Sequence, residues 1–227
     1  MNKISKYYSH KTITVVLLIV LLSSCFGRGS LKSPAQKIQQ AQNRHMLMGI
    51  KMYGRTGDWV LVRGYSQMSD IIANVTGGIF SHVVLLDKEM NQVIESDHSG
   101  VHTTSLKDLT DKTHRIVLVR PKWRTSRQIG RLAIENARKL FGRPYDYIGI
   151  LGINIADSYY CSELAFKVYK PFMNKDDQSV SVVAPLELLN WGRIIYDSGN
   201  RDVLGDSIND TEEEYQVHKP LKKKGDL

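Results

Sequence analysis

The run Phe80-Ser81-His82-Val83-Val84-Leu85-Leu86, the polar break Asp87-Lys88-Glu89-Met90-Asn91 and the second run Gln92-Val93-Ile94-Glu95-Ser96-Asp97 decide how this chain folds. Apolar and β-branched residues dominate both runs and the break has hairpin length, so two antiparallel strands are expected. Alternation assigns the faces: His82 goes with Val84 and Leu86, and Glu95 goes with Val93. An imidazole and a carboxylate on one face of a hairpin lie within reach of each other. Either residue alone on a strand is more often structural, so the pair acquires chemical meaning only beside a nucleophile.

Outward from the hairpin, the patterns alternate between helix and strand. Ser33 and Pro34 read as N-cap and first turn of a helix reaching about Met48. Gly57-Asp58 precedes a strand, Trp59 to Val62, and Ser66 to Val75 carries Met68, Ile71, Ile72 and Val75 at helical spacing before Gly77-Gly78. A further strand is expected at His114 to Val119. Ser126 caps a helix with Ile129, Leu132, Ala133, Ala137, Leu140 and Phe141 on one stripe, ending at Gly142. Another helix runs from Cys161 to Tyr169. From about Gly199 to residue 227 the chain is charged and poor in large apolar residues, the composition of a disordered tail.

The first residues carry Lys3, Lys6, His10 and Lys11, followed by an uncharged apolar run from Ile13 to Leu22 that ends in Leu22-Ser23-Ser24-Cys25. The run is short for a membrane span and suits the apolar region of an export signal. Its end resembles the lipobox of bacterial lipoproteins. That resemblance implies removal of residues 1–24 and acylation of Cys25, which would tie the protein to membrane lipid in the bacterial cell envelope. Residues 25–33 then form a Gly/Ser-rich tether, and 34–198 one domain, since 227 − 24 = 203 residues suit one core better than two. The net charge of +8 falls to +5 with the loss of three lysines. Nothing in the chain has the look of a nucleic-acid-binding module, and the oligomeric state is not legible.

Two cysteines are present, so an acylated Cys25 leaves Cys161 as a single thiol without an intramolecular partner. Such a residue is either a small buried hydrophobe or a reactive thiol. Cys161 stands at the first turn of its helix, where amide dipoles favour a thiolate, and is expected to be partly exposed. Cys161 as nucleophile, His82 as base and Glu95 as the group that orients the imidazole make the minimal set for acyl transfer, provided the fold brings them together.

Gly142-Arg143-Pro144-Tyr145-Asp146, fourteen further residues, and then Tyr160-Cys161-Ser162-Glu163-Leu164 resemble the cysteine-bearing half of the NlpC-type papain-like enzymes. Phe80-Ser81-His82-Val83 with Val93-Ile94-Glu95-Ser96 resembles the histidine-bearing half. Here the histidine half comes first, which is similar to the circularly permuted, YiiX-like papain-like amidases. The resemblance covers about Gly57 to Leu189. It implies an α+β fold whose antiparallel sheet packs against the helix that begins at Cys161. It also implies a Cys161–His82–Glu95 hydrolase, with Tyr145 and Tyr160 near the substrate. The Tyr-Cys-Ser-Glu context departs from the Asn-Cys-Glu-His context of the permuted lecithin-retinol acyltransferases.

An amide in a cell-wall peptide or an N-acylated lipid is the expected substrate. The alternatives are a lipid ester or thioester hydrolase, an acyltransferase on the same site, and a non-catalytic binding lipoprotein. No cofactor is implied. His98, His102 and His114 lack a compact ligand motif and read as surface or loop residues rather than a metal site. Nine Lys or Arg and one acidic residue, Glu135, lie between Arg115 and Arg143. A solvated face explains them slightly better than contact with anionic lipid or wall polymer.

Overall fold

The computed structural model describes residues 31–199 apart from positions 77 and 181. The export segment 1–24, Cys25, nearly all of the 25–33 tether and the tail beyond 199 lie outside the described residues. Six strands form one antiparallel sheet: β1 (Trp59–Gly64), β2 (His82–Asp87), β3 (Gln92–Asp97), β4 (Gly100–Ser105), β5 (Thr113–Pro121) and β6 (Gly192–Asp197). Their order across the sheet is β4-β3-β2-β1-β5-β6. The helices are α1 (Gln36–Tyr53), α2 (Gln67–Val75), α3 (Leu106–Asp111), α4 (Arg127–Arg138), α5 (Cys161–Lys167) and the short α6 (Lys175–Gln178).

The sheet is covered on both faces, as its strand compositions demand. Val60, Val62, Val84, Leu86, Val93, Ile116 and Leu118 face Met46 and Ile50 of α1 and Leu106 and Leu109 of α3. The alternate residues Trp59, Leu61, Val83, Leu85, Ile94, Val117 and Val119 face Ala133, Ile134 and Ala137 of α4 and Leu164, Ala165 and Phe166 of α5. This is the α+β layering in which two-sided burial replaces the apolar/polar alternation of a half-wetted sheet. The Trp59 indole N–H donates to the Ala165 carbonyl at 2.9 Å, which fixes α5 against β1.

Several boundaries move for local reasons. Helix α1 begins after Ala35, without a side-chain cap, instead of at Ser33-Pro34, and runs on to Tyr53 because Met46, Gly49 and Ile50 have the sheet to bury against. Ser66 and Ser126 do cap α2 and α4, accepting from the N–H groups of Ser69 and Ile129. Helix α4 ends at Arg138, ahead of Gly142, and α5 at Lys167, ahead of Tyr169. Strands β4 and β6 were not anticipated, because HisThrThr and ArgIleIleTyr at sheet edges lack a clear period-two signal.

The basic segment is largely neutralised from within. Of its nine cations, Arg115, Arg120, Lys122, Arg124, Arg131, Arg138 and Arg143 each have a carboxylate within 4.0 Å. Asp58 is the most buried of these acids. It is fully buried, accepts from Arg120 Nε at 3.0 Å and Nη2 at 2.8 Å, and also accepts the Arg55 N–H at 2.9 Å. Asp58→Ala leaves the Arg120 guanidinium without its counter-charge, and is expected to lower unfolding stability by about 3–5 kcal/mol. Urea denaturation followed by circular dichroism measures it.

Candidate active site

The ladder between β2 and β3 is short. It pairs Asp87 with Gln92, Leu86 with Val93 and Leu85 with Ile94, and stops there. Strand β2 stays paired to β1 as far as His82 opposite Val62. The sheet is therefore split between the first residues of β2 and the last residues of β3, and the start of α5 fills the split. Ser96 of β3 donates its hydroxyl to the Tyr159 carbonyl at 2.6 Å. The Val83 N–H, which an unbroken ladder would give to β3, and the Ser162 N–H both act on the Cys161 sulfur and help hold its pKa down.

This split explains how residues from opposite faces meet. By alternation His82 and Glu95 belong with Val84 and Val93 on the α1 and α3 side, whereas α5 packs on the other side. At the frayed end of β2 the His82 ring reaches both. Its Nε2 is 2.6 Å from Glu95 Oε2, which leaves Nδ1 for the hydrogen bond to Cys161. The three residues proposed from sequence are thus in one hydrogen-bonded chain.

The charges in that chain support one another. Burial pushes the His82 pKa down, but the charge of Cys161, hydrogen bonds to Cys161 and Glu95, and the Glu95 charge override it and raise the imidazole to about 10. Burial pushes Glu95 up, and the hydrogen bond and charge of His82 bring it down to about 2. Cys161 behaves likewise: burial raises the thiol, while the His82 charge and hydrogen bond, with the Val83 and Ser162 amides, pull it below its ordinary value. The arrangement favours a thiolate–imidazolium pair braced by a carboxylate. Cys161 is only 4% exposed, which corrects the expectation of a partly exposed thiol. It is the seating between split strands, not solvent, that favours its anion.

Two residues extend the chain beyond what sequence reading offered. The Thr104 hydroxyl donates to Glu95 Oε1. His102, opposite Glu95 on β4, has its Nε2 3.6 Å from the same oxygen. His102 is therefore a half-buried strand residue beside the site, and His114 is a buried residue of β5, so neither is the surface or loop histidine expected; His98 is exposed. The signal for Thr104 and His102 existed only as a register across a strand pair that the sequence left unassigned.

The Gly142–Asp146 motif is brought to the site by edge pairing. The Val101 N–H donates to Arg143 O and the Gly142 N–H to Val101 O, both at 2.9 Å. Gly100, at φ 85°, lets the Arg143 carbonyl come where a side chain would stand. Tyr145 is half-buried, and burial followed by the Cys161 charge pushes its phenol up. Tyr160 does not face the thiol with its hydroxyl, which accepts the Val183 N–H at 3.0 Å. Its ring lines a cavity of about 230 Å³ beside α5, and its hydroxyl braces the helix start. Glu163, three residues after the N-cap Tyr160, accepts from Asn154 Nδ2 at 3.4 Å through Oε1, and its buried Oε2 has no hydrogen-bond partner.

Against known proteins, residues 53–213 match the model of a family described as permuted papain-like amidase enzyme, YaeF/YiiX, C92 family. A crystal structure described as metalloprotein yiiX from Escherichia coli O157:H7 aligns at 25% identity with a TM-score of 0.45, covering 52% of this chain and 66% of that chain. No curated protein matches the chain.

Proposed function

Because the chain belongs to the YaeF/YiiX (C92) family of permuted papain-like amidases, a family of cysteine-type hydrolases, we propose that Cys161 is its nucleophile, His82 its acid–base group and Glu95 the group that holds the imidazole. The observation that carries this reading is the His82 ring held between Glu95, at 2.6 Å, and the Cys161 sulfur. In the proposed reaction the thiolate adds to an amide carbonyl carbon. The C–N bond then breaks as the His82 imidazolium gives its proton to the leaving amine, forming a thioester. Water, deprotonated by the now neutral His82, attacks the thioester, and its collapse yields a carboxylic acid and returns the thiol proton to the pair.

The amide is in a cell-wall peptide or an N-acylated lipid, met at the membrane face of a lipoprotein anchored through acylated Cys25. The buried thiol supports a substrate that presents a slender acyl group to a narrow site. Cys161→Ser replaces a thiolate paired with imidazolium by a hydroxyl of far higher pKa, and is expected to lower turnover on the order of 10³-fold or more with the fold intact. Release of amine from peptidoglycan fragments and from N-acyl amides, compared between the two chains, tests it. Equal release by both would remove Cys161 from the reaction. Retention of Cys25→Ala in the detergent-extracted membrane fraction would remove the anchor while leaving the chemistry untouched.

A further inference from the structure

Between Tyr145 and Tyr160 the chain makes a loop built inside out. The buried Asp146 carboxylate accepts the N–H groups of Ile148 at 3.1 Å, Gly149 at 2.8 Å and Ile155 at 2.9 Å, so backbone polar groups are gathered at the centre. The loop closes through Tyr159 N–H to Pro144 O at 3.0 Å, and Gly152 turns it at φ 83°. Its side chains point the other way. Tyr147 is 65% exposed, Leu151 64% and Ile153 58%, with Ile148 and Ile155 more than a third exposed. An isolated exposed leucine needs no explanation, but five large apolar residues in nine positions form a patch that water disfavours.

The patch has cationic neighbours and stands at the proposed catalytic residues. Lys167 and Lys170 border the same cavity as Gly149, Gly152 and Asn154 of the loop, with Glu163 the one acid in its lining, while Arg143 is paired with Asp157 at 3.2 Å. The Tyr147 ring packs edge-on to Tyr145 at 4.9 Å, and Gly149 of the loop lies against the ring of Tyr160, the residue before Cys161. We propose that residues 147–155 are a membrane-docking loop, which seats Tyr147, Leu151 and Ile153 in the interfacial layer of an anionic bilayer beside Cys161. Apolar side chains with Lys167 and Lys170 beside them match that layer: acyl chains take the former and anionic head groups the latter. The docking does not depend on catalysis, since it involves neither the thiol nor the imidazole.

The test places an environment-sensitive NBD probe on Leu151→Cys in the full chain carrying Cys25→Ala and Cys161→Ser, so that the probe site holds its only thiol. A second chain carries the probe at Met52→Cys, an exposed position on α1, which packs on the opposite face of the sheet. Vesicles of equal phosphatidylglycerol and phosphatidylethanolamine are added with and without acyl-chain doxyl quencher. The Leu151 probe is expected to shift to the blue and lose about half or more of its emission to the quencher, while the Met52 probe does neither. Part of the quenching is expected to persist in about 1 M salt, where charges alone are screened within about 3 Å. Absence of quenching at Leu151, equal quenching at both positions, or quenching lost entirely in salt would each overturn the proposal. Because Cys161 is already replaced, none of these outcomes bears on the hydrolase reading.

Discussion

Iodoacetamide is expected to alkylate Cys161 in the folded Cys25→Ala chain at a rate that stays high well below pH 8, and His82→Ala is expected to move that profile to higher pH. The sign follows from the site. Burial alone raises the thiol pKa, and the depression below the ordinary value comes from the His82 charge and hydrogen bond, with smaller help from the Val83 and Ser162 amides. Removing the imidazole leaves burial opposed only by two amides. The rate in the unaltered chain should hold from the lowered thiol pKa upward. Turnover, which also needs the imidazolium proton, should fall again as His82 is titrated near about 10. A mass-spectrometric time course across pH gives both profiles. Alkylation only in denaturant, or one profile for both chains, would make Cys161 a packing residue.

Glu95→Gln is expected to lower turnover by on the order of 10²-fold or more while KM changes little. Glu95 touches the imidazole and not the reacting thiol, so its loss acts on the His82 orientation and charge that the transition state needs. An amide at position 95 still fills the site and can donate or accept, but it no longer carries the charge that helps raise His82. The basic limb of the turnover profile should therefore move to lower pH in this variant, a change that a merely structural residue would not produce. Thr104→Val, which removes the hydrogen bond to the other carboxylate oxygen but leaves the Glu95 charge, should not move the limb to lower pH. An unaltered limb in Glu95→Gln would assign the orienting role elsewhere on β3 or β4.

The hairpin, the period-two facing of His82 with Val84 and Glu95 with Val93, and the helix opening at Cys161 were legible because each rests on neighbours within a few residues. Ser126 as a cap was legible for the same reason, and the grouping of Gly142–Asp146 with the cysteine came from the family resemblance. Residues 1–25 carried an expectation about export and acylation that no described residue bears on. Three things waited for the tertiary structure. The Thr104 and His102 neighbours of Glu95 depend on a register between β3 and β4, and register is set by pairing across the sheet rather than by composition of one strand. The burial of Cys161 and the diversion of the Val83 amide to its sulfur depend on where a ladder stops, which no single strand encodes. And the outward Tyr147, Leu151 and Ile153 read in sequence as ordinary apolar residues, because whether such a side chain is core or surface is decided by what the rest of the chain leaves uncovered. Here Asp146 holds the loop amides inward and leaves those side chains facing out. Local physics named the chemical groups, and only long-range packing determined that a split sheet would turn a thiol, an imidazole and a carboxylate into one charged chain.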